Sequence, residues 1–120
     1  MNGNVVVLDT NIVLYILGNK YNLEKLPEGR YCISFITEME LLSYQFENAD
    51  DEKEVKDFIN SIDIIEMNEG IKILAIDLRR NYKIKLPDAI ICATALFEKG
   101  ILVSGDKELK DKIKEIKIIN

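Results

Sequence analysis

The sequence contains no histidine and no tryptophan, and only two cysteines and two prolines among 120 residues. Without histidine there is no Ser–His–Asp or Cys–His triad, no imidazole metal ligand and no imidazole proton shuttle. Any chemistry falls to carboxylates, lysines, hydroxyls, thiols or a bound ion. With no tryptophan and five tyrosines, no strong aromatic platform for stacking bases is expected. Cys32 and Cys92 lack the short spacing of a zinc site and are too few for a disulfide framework. Free thiols in a reducing, cytoplasmic setting are expected. No apolar run reaches membrane-spanning length, and no membrane partner is expected. The opening segment, MNGNVVVLDTN, has neither a basic region nor a cleavage site, so no secretory leader is expected. Repeats, linkers and low-complexity segments are also missing.

What is present describes one soluble globular domain over residues 1–120: 48% of residues are apolar and 31% charged. A chain of this length buries roughly two-thirds of its unfolded surface and needs no staples. With 21 acids against 16 bases, the net charge is −5. That counts against a protein that coats nucleic acid by bulk charge, but not against a nuclease whose acids hold cations.

Hydrophobic periodicity predicts an alternation of strands and helices. Strands are expected at 5–8, 31–35, 63–67, 101–104 and 116–119. Helices are expected at 12–17, 37–46, 51–62, 69–82, 88–99 and 107–113. Within them, Met39, Leu42 and Phe46 form one stripe, Val55, Phe58, Ile59 and Ile62 an inner face, and Ile73, Ile76, Asp77 and Arg80 recur at turn spacing. The alternation predicts an α/β fold, a parallel sheet with helices on both faces.

Four acids occupy related places. Asp9 ends the first strand, and Asp106 follows the fourth across Ser104-Gly105. Glu40 lies in the expected first turn of the helix after the second strand, and Asp88 opens the helix leading into the fourth. A helix packed on a parallel sheet runs antiparallel to the strands, so its N-terminus lies at their carboxyl edge, where open α/β folds place their sites. Taken singly, these acids are ordinary helix caps: Asp9, Asp88 and Asp106 as N-caps, and Glu40 closing a capping box with Thr37. Taken together they repel, by roughly 4 kcal/mol for one pair at about 4 Å and an effective dielectric near 20. Protonation or a divalent cation relieves that repulsion. All-oxygen ligands favour a hard ion, Mg²⁺ or Mn²⁺, suited to phosphoryl chemistry.

Four segments resemble the motifs of the PIN domain, in particular the toxin subunit of VapBC-type toxin–antitoxin pairs. They are Val5-Val6-Val7-Leu8-Asp9-Thr10-Asn11, Ile33-Ser34-Phe35-Ile36-Thr37-Glu38-Met39-Glu40-Leu41, Leu86-Pro87-Asp88-Ala89-Ile90-Ile91-Cys92-Ala93-Thr94-Ala95 and Leu102-Val103-Ser104-Gly105-Asp106. In the last, Ser104 stands where Thr is usual. In the second, the acid preceding a leucine selects Glu40 over Glu38. The resemblance covers nearly the whole chain. It implies a Rossmann-like, three-layer fold with five strands in the order 3-2-1-4-5. It also implies a Mg²⁺- or Mn²⁺-dependent endoribonuclease in which Asp9, Glu40, Asp88 and Asp106 hold the metal. Asn11 and Ser104 would orient carboxylates or water by hydrogen bonds. Water would attack an RNA phosphodiester in line, leaving a 5′-phosphate and a 3′-hydroxyl. A homodimer and a cognate VapB-like antitoxin covering or entering the acidic site are implied as well.

Arg79, Arg80, Lys83 and Lys85 form the one clearly basic stretch and lead into Asp88. They either bind RNA phosphates or complement a helix dipole. Asp77 is expected to pair with Arg79 or Arg80. The alternating charges of residues 107–117 read as a solvated face, and Cys92 as core. Two relatives of the main reading stay open: a processing nuclease outside toxin–antitoxin biology, and an inactive RNA- or protein-binding module. A phospho-acceptor receiver is disfavoured because Met67-Asn68, not an aspartate, follows the third strand. A nucleotide-binding Rossmann domain is disfavoured because no glycine-rich loop follows the first.

Overall fold

Val5–Leu8 forms the central strand, β1, because its unbroken apolar run can be buried on both faces. The computed structural model describes residues 4–120. Met1, Asn2 and Gly3, part of the segment read as lacking a leader, lie outside the described residues. The other strands are β2 (Arg30–Ser34), β3 (Asp63–Ile65), β4 (Ile101–Val103) and β5 (Lys117–Ile119). All pair in parallel, in the order 3-2-1-4-5. The α/β architecture and strand order therefore match expectation.

Among the described residues six α-helices connect the strands: α1 (Thr10–Leu17), α2 (Phe35–Leu42), α3 (Ala49–Ser61), α4 (Glu69–Asn81), α5 (Leu86–Phe97) and α6 (Lys107–Lys112). Alternation along the strands divides the core into two layers. Val6, Leu8 and Ile33 pack with Ile12, Leu41, Val55 and Ile59 on one face. Val7, Cys32 and Leu102 pack with Ile71, Ala75, Leu78 and the body of α5 on the other. Residues Ala89 to Ala95 of α5 are all buried, because this helix lies between the sheet and α4. Among the described residues no helix is long and apolar enough to cross a membrane.

Several local expectations are corrected. The second helix begins at Phe35, because Ser34 Oγ accepts the Ile36 amide at 3.1 Å and caps it. It ends at Leu42, so its buried residues are Thr37 and Leu41, while Met39 and Leu42 are exposed. Among the described residues no capping box joins Thr37 and Glu40: Glu40 lies in the second turn, and its Oε1 accepts from Thr10. α4 buries Ile71, Ala75 and Leu78, a stripe the periodicity had not singled out, while Ile73 and Ile76, at turn spacing with Asp77 and Arg80, are exposed. Asp77 makes no ion pair among the described residues. In α5 the N-cap is Lys85, with Pro87 in the first turn, so Asp88 sits inside that turn and is not a cap.

Candidate functional site

The chain leaves β1 for β2 on one side of the sheet and reaches β4 on the other. The strand order therefore reverses beside β1, and a crevice opens there at the strands' carboxyl ends. Asp9 stands at this switch point. Its Oδ1 accepts the Ile12 amide at 2.9 Å and caps α1, while the residue stays only 9% exposed. Burial pushes the Asp9 carboxyl above its ordinary value, and the charge of Asp106 adds to the rise. Hydrogen bonds from the wholly buried Ser104 hydroxyl and the Ile12 and Gly105 amides oppose it.

Glu40 reaches the same crevice from α2. Thr10 Oγ1 donates to Glu40 Oε1 at 2.6 Å and lies 3.1 Å from Thr37 Oγ1. Thr10 has one hydroxyl proton, and giving it to the carboxylate leaves its oxygen to accept from Thr37. Asp88 arrives from the first turn of α5, where the helix dipole favours an anion. Burial pushes its carboxyl up, and the charges of Asp106, Asp9 and Glu40 push it further, against Lys85. Asp88 is thus the acid that feels the other three. Asp106 caps α6, its Oδ1 accepting the Glu108 and Leu109 amides at 2.9 and 3.3 Å. Its own amide donates to Ser104 Oγ at 3.0 Å.

Asp9, Glu40 and Asp88 line one cavity of about 490 Å³, whose other walls include Asn11, Met39 and Tyr44. Asp88 and Asp106 line a second, of about 290 Å³, together with Lys83, Lys85 and Lys112. Asp88 is common to both. Asn11 is at the wall but makes no hydrogen bond to the four acids among the described residues. Arg79 and Arg80 are exposed in the last turn of α4 and line neither cavity. Sequence reasoning missed Thr10, Tyr44 and Lys112. Thr10 and Tyr44 flank motif acids, but nothing local shows which side chains they meet, and Lys112 is one of several alternating charges.

No lysine or arginine forms an ion pair with the four acids among the described residues. No three acidic or thiol side chains among those residues close into a ready-made ion cage. The donor set nevertheless fits a hard divalent ion, since Mg²⁺ keeps several waters and takes only one or two carboxylates directly. The repulsion felt at Asp88 is the cost that such an ion would relieve.

The sequence matches the PIN domain family over residues 6–115. The chain belongs to that family. A toxin–antitoxin complex from Klebsiella pneumoniae contains a chain of 28% identity, with a TM-score of 0.79 and 96% of each chain covered. The VapBC2 structure from Rickettsia felis, bound to a promoter DNA fragment, gives 22% identity and a TM-score of 0.82, covering 97% of this chain and 98% of that one. The DNA-bound VapBC structure from Salmonella typhimurium gives 23% identity and a TM-score of 0.80, covering 99% and 98%. No curated protein matches the sequence.

Proposed function

We propose that this PIN domain is a Mg²⁺- or Mn²⁺-dependent endoribonuclease and the toxin of a toxin–antitoxin pair. One observation carries the nuclease reading: Asp9, Glu40 and Asp88 meet in one cavity at the sheet's switch point, with Asp106 acting on Asp88 from the side. Asp9, Glu40, Asp88 and Asp106 would hold the metal. When bound, the ion would lower the pKa of a water and neutralise charge developing on a phosphodiester. The protein's part is placement. Ser104 orients Asp9 and fixes the turn to Asp106, while Thr10 orients Glu40. Losing such an outer partner typically costs about 10–100-fold in metal affinity. Lys83 and Lys85 would bind RNA phosphates beside Asp88. The expected products carry a 5′-phosphate and a 3′-hydroxyl.

The toxin assignment is supported by the toxin–antitoxin complexes among the structural relatives. A VapB-like antitoxin and a homodimer belong to the same proposal and rest on the family resemblance. The deciding experiment is cleavage of a structured RNA pool in Mg²⁺, Mn²⁺ or EDTA, with Asp9→Asn and Asp88→Asn as controls. Cleavage that needs metal and vanishes in both variants supports the enzyme. Full cleavage by Asp9→Asn sinks it. Mn²⁺ binding without cleavage of any RNA favours an inactive binding module.

A further inference from the structure

Six waters around a divalent ion occupy about 180 Å³ at liquid density, well under the cavity's roughly 490 Å³. From α2 and the turn after it, Ile36, Met39, Ser43 and Tyr44 line the cavity beside Glu40, and Met39 and Tyr44 are 55% and 49% exposed. Tyr44 has one aromatic neighbour among the described residues. Its ring centroid lies 6.5 Å from that of Phe46 at an interplanar angle of 47°, and Phe46 packs on the core. A half-exposed aromatic ring thus lines the same cavity as three carboxylates. The cluster is anionic and the chain carries a net charge of −5, so charge supplies little attraction for RNA at this flank. A base face supplies attraction without charge. The composition led to no expectation of an aromatic platform for bases, and Tyr44 at the cavity wall departs from that expectation.

We propose that Tyr44 stacks against the face of an unpaired nucleobase flanking the scissile phosphate, and so positions the strand at this site. The proposal deepens the nuclease reading and rests on it. A base inside a duplex is already stacked on both faces and cannot present one to Tyr44, whereas loops and single strands can.

The test uses a single-stranded RNA oligonucleotide that the wild-type protein cleaves at one mapped bond. Companion oligonucleotides carry one abasic ribonucleotide at each of the three positions on either side of that bond. Stacking predicts one position at which base removal lowers wild-type kcat/KM by about tenfold, the scale of a single base–aromatic stack. Tyr44→Ala should lose about tenfold on the intact RNA and nothing further on that abasic RNA. Tyr44→Phe and Tyr44→Trp should retain both the rate and the sensitivity. The proposal is overturned if Tyr44→Ala cleaves intact RNA at the wild-type rate, which would leave the ring to a protein partner or to the turn alone. It is equally overturned if Tyr44→Ala keeps the wild-type abasic penalty. Should Tyr44→Ala not fold, the wild-type scan still decides, since no penalty at any position rejects stacking. Absence of metal-dependent cleavage by the wild-type protein is a different result: it removes the nuclease reading, and stacking with it.

Discussion

Thr10 and Glu40, 30 residues apart in the chain, are joined by a 2.6 Å hydrogen bond that ties the start of α1 to the second turn of α2. The bond orients one carboxylate of the acidic cavity. Thr10→Val removes the hydroxyl at nearly constant shape and leaves Glu40 free to rotate. Affinity for Mn²⁺ should fall by about tenfold or more, the usual cost of losing an outer partner of a ligand, while the circular dichroism spectrum stays unchanged. Thr10→Ser should bind as the wild type does. Titration calorimetry with Mn²⁺ measures both, and equal affinities for wild type and Thr10→Val would show that the bond serves packing only.

The basic stretch divides in space. Lys83 and Lys85 line the cavity shared by Asp88 and Asp106, while Arg79 and Arg80 stay at the exposed end of α4. Charge reversal at Lys83 and Lys85 should weaken single-stranded RNA binding. It should also reduce the slope of log K against log salt by about 0.7 for each phosphate no longer neutralised. Reversal at Arg79 and Arg80 should leave the slope near the wild-type value. A larger change from the arginine pair would relocate the RNA path to α4.

The central architecture was legible because β1 is apolar throughout and ends in an acid. A run this short and rich in β-branched valine reads as a strand covered on both faces, which puts the acid after it at the sheet's edge. Alternation of elements then led to the parallel sheet, and motif resemblance to its order. The corrections have one physical source. Periodicity tells which residues share a stripe, not which stripe finds a partner. Met39 and Leu42, like Ile73 and Ile76, are spaced as a buried face would be, yet the stripes through Leu41 and Ala75 meet the neighbouring layers. Helix starts followed the nearest capping side chain, so Ser34 displaced Thr37. The Thr10–Glu40 bond and the arrival of Tyr44 and Lys112 at the cavities are tertiary events with no local spacing to announce them.

Cys32 and Cys92 are buried free thiols, each pushed up to about 12 by burial. At pH 8 such a thiol is ionised in about one molecule in 10⁴, against about a quarter for an ordinary cysteine. Neither should react with a disulfide reagent in the folded protein, and both should react on unfolding. Reaction in denaturant should therefore follow the loss of helical signal. Rapid labelling of one thiol under native conditions would mean that its layer of the core opens locally.

The acids that equip the site should also weaken the metal-free fold. Burial raises the Asp9 carboxyl above 3.8, and burial with the charges of Asp106, Asp9 and Glu40 raises that of Asp88. For an acid whose folded pKa lies above its unfolded value, the folded state holds more protons between the two. Stability therefore falls as pH rises through that window and stays at the lower level above it. Glu115, lowered by its hydrogen bond from Tyr82, works in the opposite sense, but it is unchanged between the proteins compared. In EDTA at neutral pH, Asp9→Asn and Asp88→Asn should melt above wild type, and the gap should close as acid protonates the wild-type carboxyls. Asparagine at position 9 still accepts the Ile12 amide, so the cap on α1 is kept. Mn²⁺ at about 100 times its Kd should stabilise the wild type by about 2.7 kcal/mol and Asp9→Asn far less. Thermal melts across pH with and without metal test all three statements. A lower melting temperature for Asp9→Asn in EDTA would mean that the Asp9 charge holds the fold together, contrary to a site whose repulsion awaits a cation.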